Sequence, residues 1–151
     1  MLPAFTDDGL LPAGIHWAEW SEIEARFGCN SHRRALLSGL AYAARCLRLA
    51  GCPAIFVDGS FVTNKRHPGD FDVCWLTDGV DLAALRKMEP AFFSFKNLRA
   101  MQKAKFGGEL FPSANAAEAT SPFRTFLEFF QIDKVTGLRK GIVGYRTQVN
   151  S

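Results

Sequence analysis

No segment of the chain approaches the roughly 20 consecutive apolar residues that a membrane helix needs. The opening MLPAFTDDGLLPAG has neither the basic start nor the long apolar stretch of a secretory signal. The four cysteines, Cys29, Cys46, Cys52 and Cys74, lie 17, 6 and 22 positions apart, so there is no C-x-x-C knuckle to suggest zinc. His16, His32 and His67 show no ligand spacing to one another or to a cysteine. A G-x-x-x-x-G-K-[ST] loop, a G-x-G-x-x-G turn and an H-E-x-x-H pair are all missing, which sets aside P-loop ATPases, dinucleotide enzymes and zinc hydrolases. Charge of one sign is missing too: 18 basic against 15 acidic side chains give a formal +3, which tolerates a polyanionic ligand without announcing a nucleic-acid binder. Repeats and low-complexity tracts are absent. Together these point to a cytoplasmic protein with reduced, mostly buried thiols.

What is present is a core. Apolar residues make up 48% of the 151 positions and Phe alone accounts for 14, enough for one domain over residues 1–151. Residues 1–15 are turn-rich and are expected to form an ordered arm laid over it. Trp17, Trp20, Ile23 and Phe27 recur at helical steps, with Gly28 as a stop. Residues 31–50 form the strongest helix, capped by Ser31, with Leu36, Leu37, Leu40, Ala43, Ala44 and Leu47 as its apolar stripe and Arg33, Arg34, Arg45 and Arg48 mostly off it. Short strands are expected over 54–57, 71–76, 109–111 and 141–145. Helices are expected over 81–88, 91–105 and from Ser121-Pro122 through Phe123 to about Ile132. The fold class is α/β (α+β): a small mixed β-sheet flanked by helices.

The chemistry concentrates in IFVDGSFVTNKRHPGDFDVCWLT. Gly59-Ser60 ends one strand-like run, and nine residues later Asp70-Phe71-Asp72 opens the next. On a strand, Asp70 and Asp72 point to the same face, their Cα atoms about 6.6 Å apart at a rise of ~3.3 Å per residue. Two such carboxylates suit Mg²⁺, which takes one or two of them and completes its shell with water and phosphate oxygens. Gly59 permits close backbone approach to a phosphate, and the Ser60 hydroxyl can donate to it. A tight turn is the plainer reading of Gly59-Ser60, but it leaves Asp72 unexplained inside an apolar strand. Asp58 reads as a strand-end residue. Lys65 and Arg66 are loop cations able to reach phosphate, and Lys140 is a weaker candidate of that kind.

Gly59-Ser60 with Asp70-x-Asp72 resembles the signature of the DNA polymerase β-like nucleotidyltransferases, especially the small bacterial minimal nucleotidyltransferases. LPAGIH, RFGCN, PGDFDV, GGELFP and KGIV, spread over most of the chain, look like a group of short bacterial members. The resemblance implies a nucleotidyltransferase-like fold in which Gly59 and Ser60, helped by Lys65, bind a nucleoside triphosphate such as ATP. It implies that Asp70 and Asp72 hold two Mg²⁺ ions and that a third carboxylate completes the site. Glu109, in the next strand-like segment, is the choice for that third position, although the family usually has Asp there. The expected reaction is transfer of a nucleoside monophosphate to a hydroxyl on a protein, a tRNA end or a small molecule. The resemblance also suggests an antitoxin-like role beside a partner toxin in a toxin–antitoxin or phage-defence pair. The rival is an inactive member of the same fold acting as a protein-binding module. RNA binding through Arg33, Arg34, Arg45 and Arg48 is a third reading, against which the modest net charge weighs.

Overall fold

The computed structural model describes residues 1–115, 117 and 124–148. Its centre is a five-stranded mixed sheet in the order β1-β5-β2-β3-β4, where β1 is Gly14–Trp17, β2 Ala54–Asp58, β3 Phe71–Trp75, β4 Gly108–Pro112 and β5 Gly141–Arg146. The pairs β1–β5 and β3–β4 are parallel, and β2 runs antiparallel to both β3 and β5. Among the described residues there are five α-helices: α1 Trp20–Phe27, α2 Ser31–Leu49, α3 Leu82–Met88, α4 Lys96–Phe106 and α5 Phe126–Phe130.

Alternation along the strands sorts the core into two layers. Ile55, Val57, Phe71, Val73, Trp75 and Leu110 face the helices α1 to α4 in the larger cluster. Phe56, Cys74 and Ile142 face the other way and pack with Phe111, Phe126 and Phe130 beneath α5. Each fully buried aromatic contributes about 1.5–3 kcal/mol relative to exposure, so the phenylalanines account for much of the stability.

Helix α2 matches the expected stripe, but its cap is Asn30 rather than Ser31: the Asn30 side chain accepts from the Arg33 amide at 2.8 Å. Close packing against α4 depends on Gly39. A Cβ there would stand 1.6 Å from the Phe106 carbonyl oxygen.

Two segments differ from the sequence expectation. The arm over residues 1–15 contributes the first half of a strand, because residues 14–17 pair with β5. Trp17 therefore ends β1, and α1 begins three residues later behind a Glu19–Glu22 capping box. The segment 91–105 breaks into a 3-10 turn, Pro90–Phe93, and α4, whose first turn holds Asn97, Leu98 and Arg99 at φ 52°, 54° and 60°. That left-handed turn costs about 1–2 kcal/mol per residue. It is pinned by Arg99, whose guanidinium lies 4.4 Å from the Phe95 ring centre and 4.1 Å from that of Phe111. Arg99 also donates to the Leu110 carbonyl, and the Leu110 amide donates to Gln102 Oε1, so α4 satisfies the outer edge of β4. The expected helix opening at Ser121-Pro122, with Phe123, lies outside the described residues. Helix α5 starts at Phe126 behind a Thr125–Glu128 capping box.

Candidate functional site

Strand register brings three carboxylates into one row. Asp72 on β3 stands opposite Asp58 on β2 and opposite Glu109 on β4. Directly paired residues share a sheet face, so all three point away from the large core, toward the α5 side. Asp70, two positions before Asp72, adds a fourth just outside the strand. Phe56, Cys74 and Phe111 form the next row inward, an apolar floor behind the acidic one.

The turn after β2 closes on this row. Gly59 has φ +87°, and a Cβ there would lie 3.2 Å from both the Asp72 amide nitrogen and Asp72 Oδ2. The glycine and the second aspartate of the motif are therefore neighbours. Ser60 opens a 3-10 turn, Ser60–Val62, whose Val62 amide donates back to the Gly59 carbonyl at 3.2 Å. Among the described residues the Ser60 hydroxyl has no hydrogen-bond partner, while Thr63 Oγ1 donates to the Ser60 carbonyl at 2.6 Å.

The first turns of α2 hold the rest of the loop. Arg33, only 2% exposed, donates from Nη1 to the Phe61 carbonyl at 2.7 Å and from Nη2 to the Thr63 carbonyl at 2.8 Å. Its Nε donates to the Lys65 carbonyl at 3.2 Å. Asn30 Nδ2 donates to the Arg66 carbonyl at 2.8 Å, and His32 Nε2 to that of Pro68. The five donors of a guanidinium suit this cage of carbonyls.

Burial makes Asp58, Asp70 and Asp72 hard to ionise. Burial pushes Asp72 from an ordinary 3.8 up to about 6, and the negative charges of Asp58, Asp70 and Glu109 add to the effect. Asp70 is raised by burial and by Glu109. Asp58, 5% exposed, is raised by burial even though Lys140 Nζ sits 2.6 Å from its Oδ1. Lys103 Nζ lies 3.0 Å from Glu109 Oε1, and that contact raises the lysine's pKa. Lys134 supplies a third positive field on Asp58, Asp70 and Asp72.

Asp58 and Glu109 are thus each turned to a lysine, whereas Asp70 and Asp72 have no hydrogen bond or ion pair to a described side chain. Among the described residues no group of three or more His, Cys, Asp or Glu side chains is gathered closely enough to hold a metal ion. The pair left without a lysine in contact is Asp70–Asp72, and two carboxylates are a number that Mg²⁺ accepts. Glu109 could join it only by leaving Lys103.

Of the sequence candidates, Gly59, Ser60, Asp70, Asp72 and Glu109 fall at or beside one end of the sheet. Lys65 contributes its backbone carbonyl to Arg33 while its side chain stays exposed and has no ion pair among the described residues. Sequence reasoning missed Lys103 and Lys134 and gave little weight to Asp58 and Lys140. The parity of Asp58 with Phe56 was legible, but its pairing with Lys140 spans 82 positions and needed the fold.

The structure defines a mixed α/β domain with an acidic row at one end of its sheet. A family model described as a family of unknown function (DUF6932) matches residues 3–145, and the chain belongs to that family. No curated protein and no solved structure matches it.

Proposed function

We propose that the protein is a Mg²⁺-dependent nucleotidyltransferase that moves a nucleoside monophosphate from a nucleoside triphosphate to a hydroxyl acceptor. The observation that carries this reading is the unpaired Asp70–Asp72 carboxylate pair, Asp72 on β3 and Asp70 just before it, with Gly59 packed against Asp72. Magnesium, when bound, supplies charge neutralisation for the phosphates and for the attacking and leaving oxygens. Asp70 and Asp72 would hold it. Gly59 leaves room for the triphosphate, and the Ser60 hydroxyl donates to its oxygens. Glu109, freed from Lys103, takes the proton of the acceptor hydroxyl. The acceptor oxygen then bonds to the α-phosphorus, the bond to the β-phosphate oxygen breaks, and pyrophosphate leaves. Catalysis is by positioning and charge neutralisation. The acceptor is a protein, a tRNA end or a small molecule, and an antitoxin-like role acting on a partner toxin is one form of this function.

A second reading is favoured by the lysines. Lys140 on Asp58 and Lys103 on Glu109 stand where an active site would otherwise turn carboxylates to cations, as suits a retained fold that works by docking on a partner protein. One assay separates the two. The protein is incubated with Mg²⁺, each α-labelled nucleoside triphosphate and candidate acceptors, while label and intact mass are followed. Transfer that disappears in Asp70→Asn and Asp72→Asn supports the enzyme. Partner binding without transfer, unchanged in both variants, supports the module.

A further inference from the structure

Helix α2 reads SHRRALLSGLAYAARCLRL and contains four arginines and no acidic residue. Arg33 is spent inside the loop cage described above. The other three come to one face: Arg34, Ser38, Ala41, Arg45 and Arg48 recur at steps of four and three, and all five line cavities on the flank of the helix. Two adjoining cavities of about 370 and 260 Å³ share Trp20 and Ala41, forming one groove. Its length from Arg34 to Arg48 is about 21 Å at ~1.5 Å per residue.

The floor of the groove is small and its wall aromatic. Ala41 lines both cavities, and Trp20 meets Tyr145 edge-on, ring centres 5.4 Å apart. Trp20 Nε1 donates to Glu24 Oε1 at 2.7 Å, which fixes the indole and occupies the one carboxylate in the groove. Arg34, Arg45 and Arg48 are exposed, and none forms an ion pair among the described residues. Arg34 has a single contact, to the Gly28 carbonyl at 3.3 Å. Unpaired guanidinium groups along a line, beside half-exposed aromatic faces, complement a chain that alternates anionic groups with flat rings. Carboxylates of an acidic peptide would use the arginines but leave the aromatic wall without its counterpart.

We propose that this groove binds single-stranded nucleic acid, its phosphates on Arg34, Arg45 and Arg48 and its bases against Trp20 and Tyr145. The site lies on the helical side of the sheet, opposite the acidic row, and does not depend on the activity assigned to that row. Backbone charge and base stacking are the two contributions that sequence-tolerant strand binding requires.

The test is fluorescence anisotropy of a labelled oligouridylate of about 12 nucleotides, titrated with the whole protein at several salt concentrations. Three phosphate contacts give a log–log salt slope of about −2, a loss of roughly 20-fold for a fourfold rise in salt. Arg45→Glu with Arg48→Glu, both exposed and checked for native circular dichroism, is expected to weaken binding at least about tenfold and to flatten the slope to below about −1 in magnitude. Binding should quench tryptophan fluorescence in the native chain, and less in Trp20→Phe. A slope near zero, an affinity untouched by the charge reversal, or no saturable binding at low salt overturns the proposal. A labelled polyglutamate peptide that binds as tightly as the oligonucleotide also overturns it, in favour of an acidic protein partner.

Discussion

Asp58 and Asp72 stand opposite each other on adjacent antiparallel strands, yet only Asp58 has a lysine in contact, Lys140 at 2.6 Å. The two aspartates therefore divide the tasks of a like-charged pair. One is tied down by a neighbour, while the other is left desolvated and unpaired beside Gly59.

Removing Lys140 exposes the cost of that arrangement. Lys140→Met leaves Asp58 buried without its counter-charge and should destabilise the fold by about 3 kcal/mol. Urea denaturation at pH 7 measures it. The double change with Asp58→Asn should recover most of the loss, because a neutral amide no longer needs the ammonium.

Asp72 makes stability depend on pH in a defined direction. Its folded pKa, about 6, lies above its ordinary value of 3.8, so the folded state holds the proton more tightly than the unfolded chain. Stability from this group is thus full below about pH 4 and lost as pH rises through about 6, a total of roughly 3 kcal/mol. Asp72→Asn should raise the urea midpoint relative to the native chain at pH 7.5, with the difference shrinking toward pH 4. Millimolar Mg²⁺ should raise the melting temperature of the native protein at pH 7.5 but not that of Asp72→Asn.

Arg33 should behave as the anchor of the loop after β2. Arg33→Met strips the Phe61, Thr63 and Lys65 carbonyls of a shared donor, and about 2–4 kcal/mol should be lost. Arg33→Lys should rescue little, since one ammonium cannot reproduce the planar fork. Limited proteolysis should cut both variants between residues 61 and 69 sooner than the native chain.

The contact of α2 with α4 tolerates no side chain at Gly39. Gly39→Ala would normally favour a helix, but the 1.6 Å approach of its Cβ to the Phe106 carbonyl oxygen reverses the sign. A loss of about 1–3 kcal/mol is expected, read by thermal or chemical denaturation.

The sequence made most of the frame legible because local rules and packing agreed there. The stripe of α2, the short apolar β2 and β3, and the break before β4 each carried their own period and punctuation. Strand β1 was hidden because four residues, Gly14–Trp17, have no period of their own and take their conformation from pairing with β5 more than a hundred positions away. The left-handed turn at Asn97–Arg99 was hidden because its residues lack the glycine that usually marks such geometry. At the site, the spacing of Gly59-Ser60 and Asp70-x-Asp72 was readable from a single hairpin. The pairings of Asp58 with Lys140 and of Glu109 with Lys103 were not, since they depend on register across three strands and on a helix that packs against them.

Arg99 and Gln102 reach over the rim of β4 and occupy the carbonyl and amide of Leu110 that would otherwise face outward. A strand offered by a neighbouring molecule finds no free ladder there on which to zip, so self-association by sheet extension is blocked beside the acidic row. Whatever approaches Glu109 from that flank must be recognised by side chains rather than by backbone.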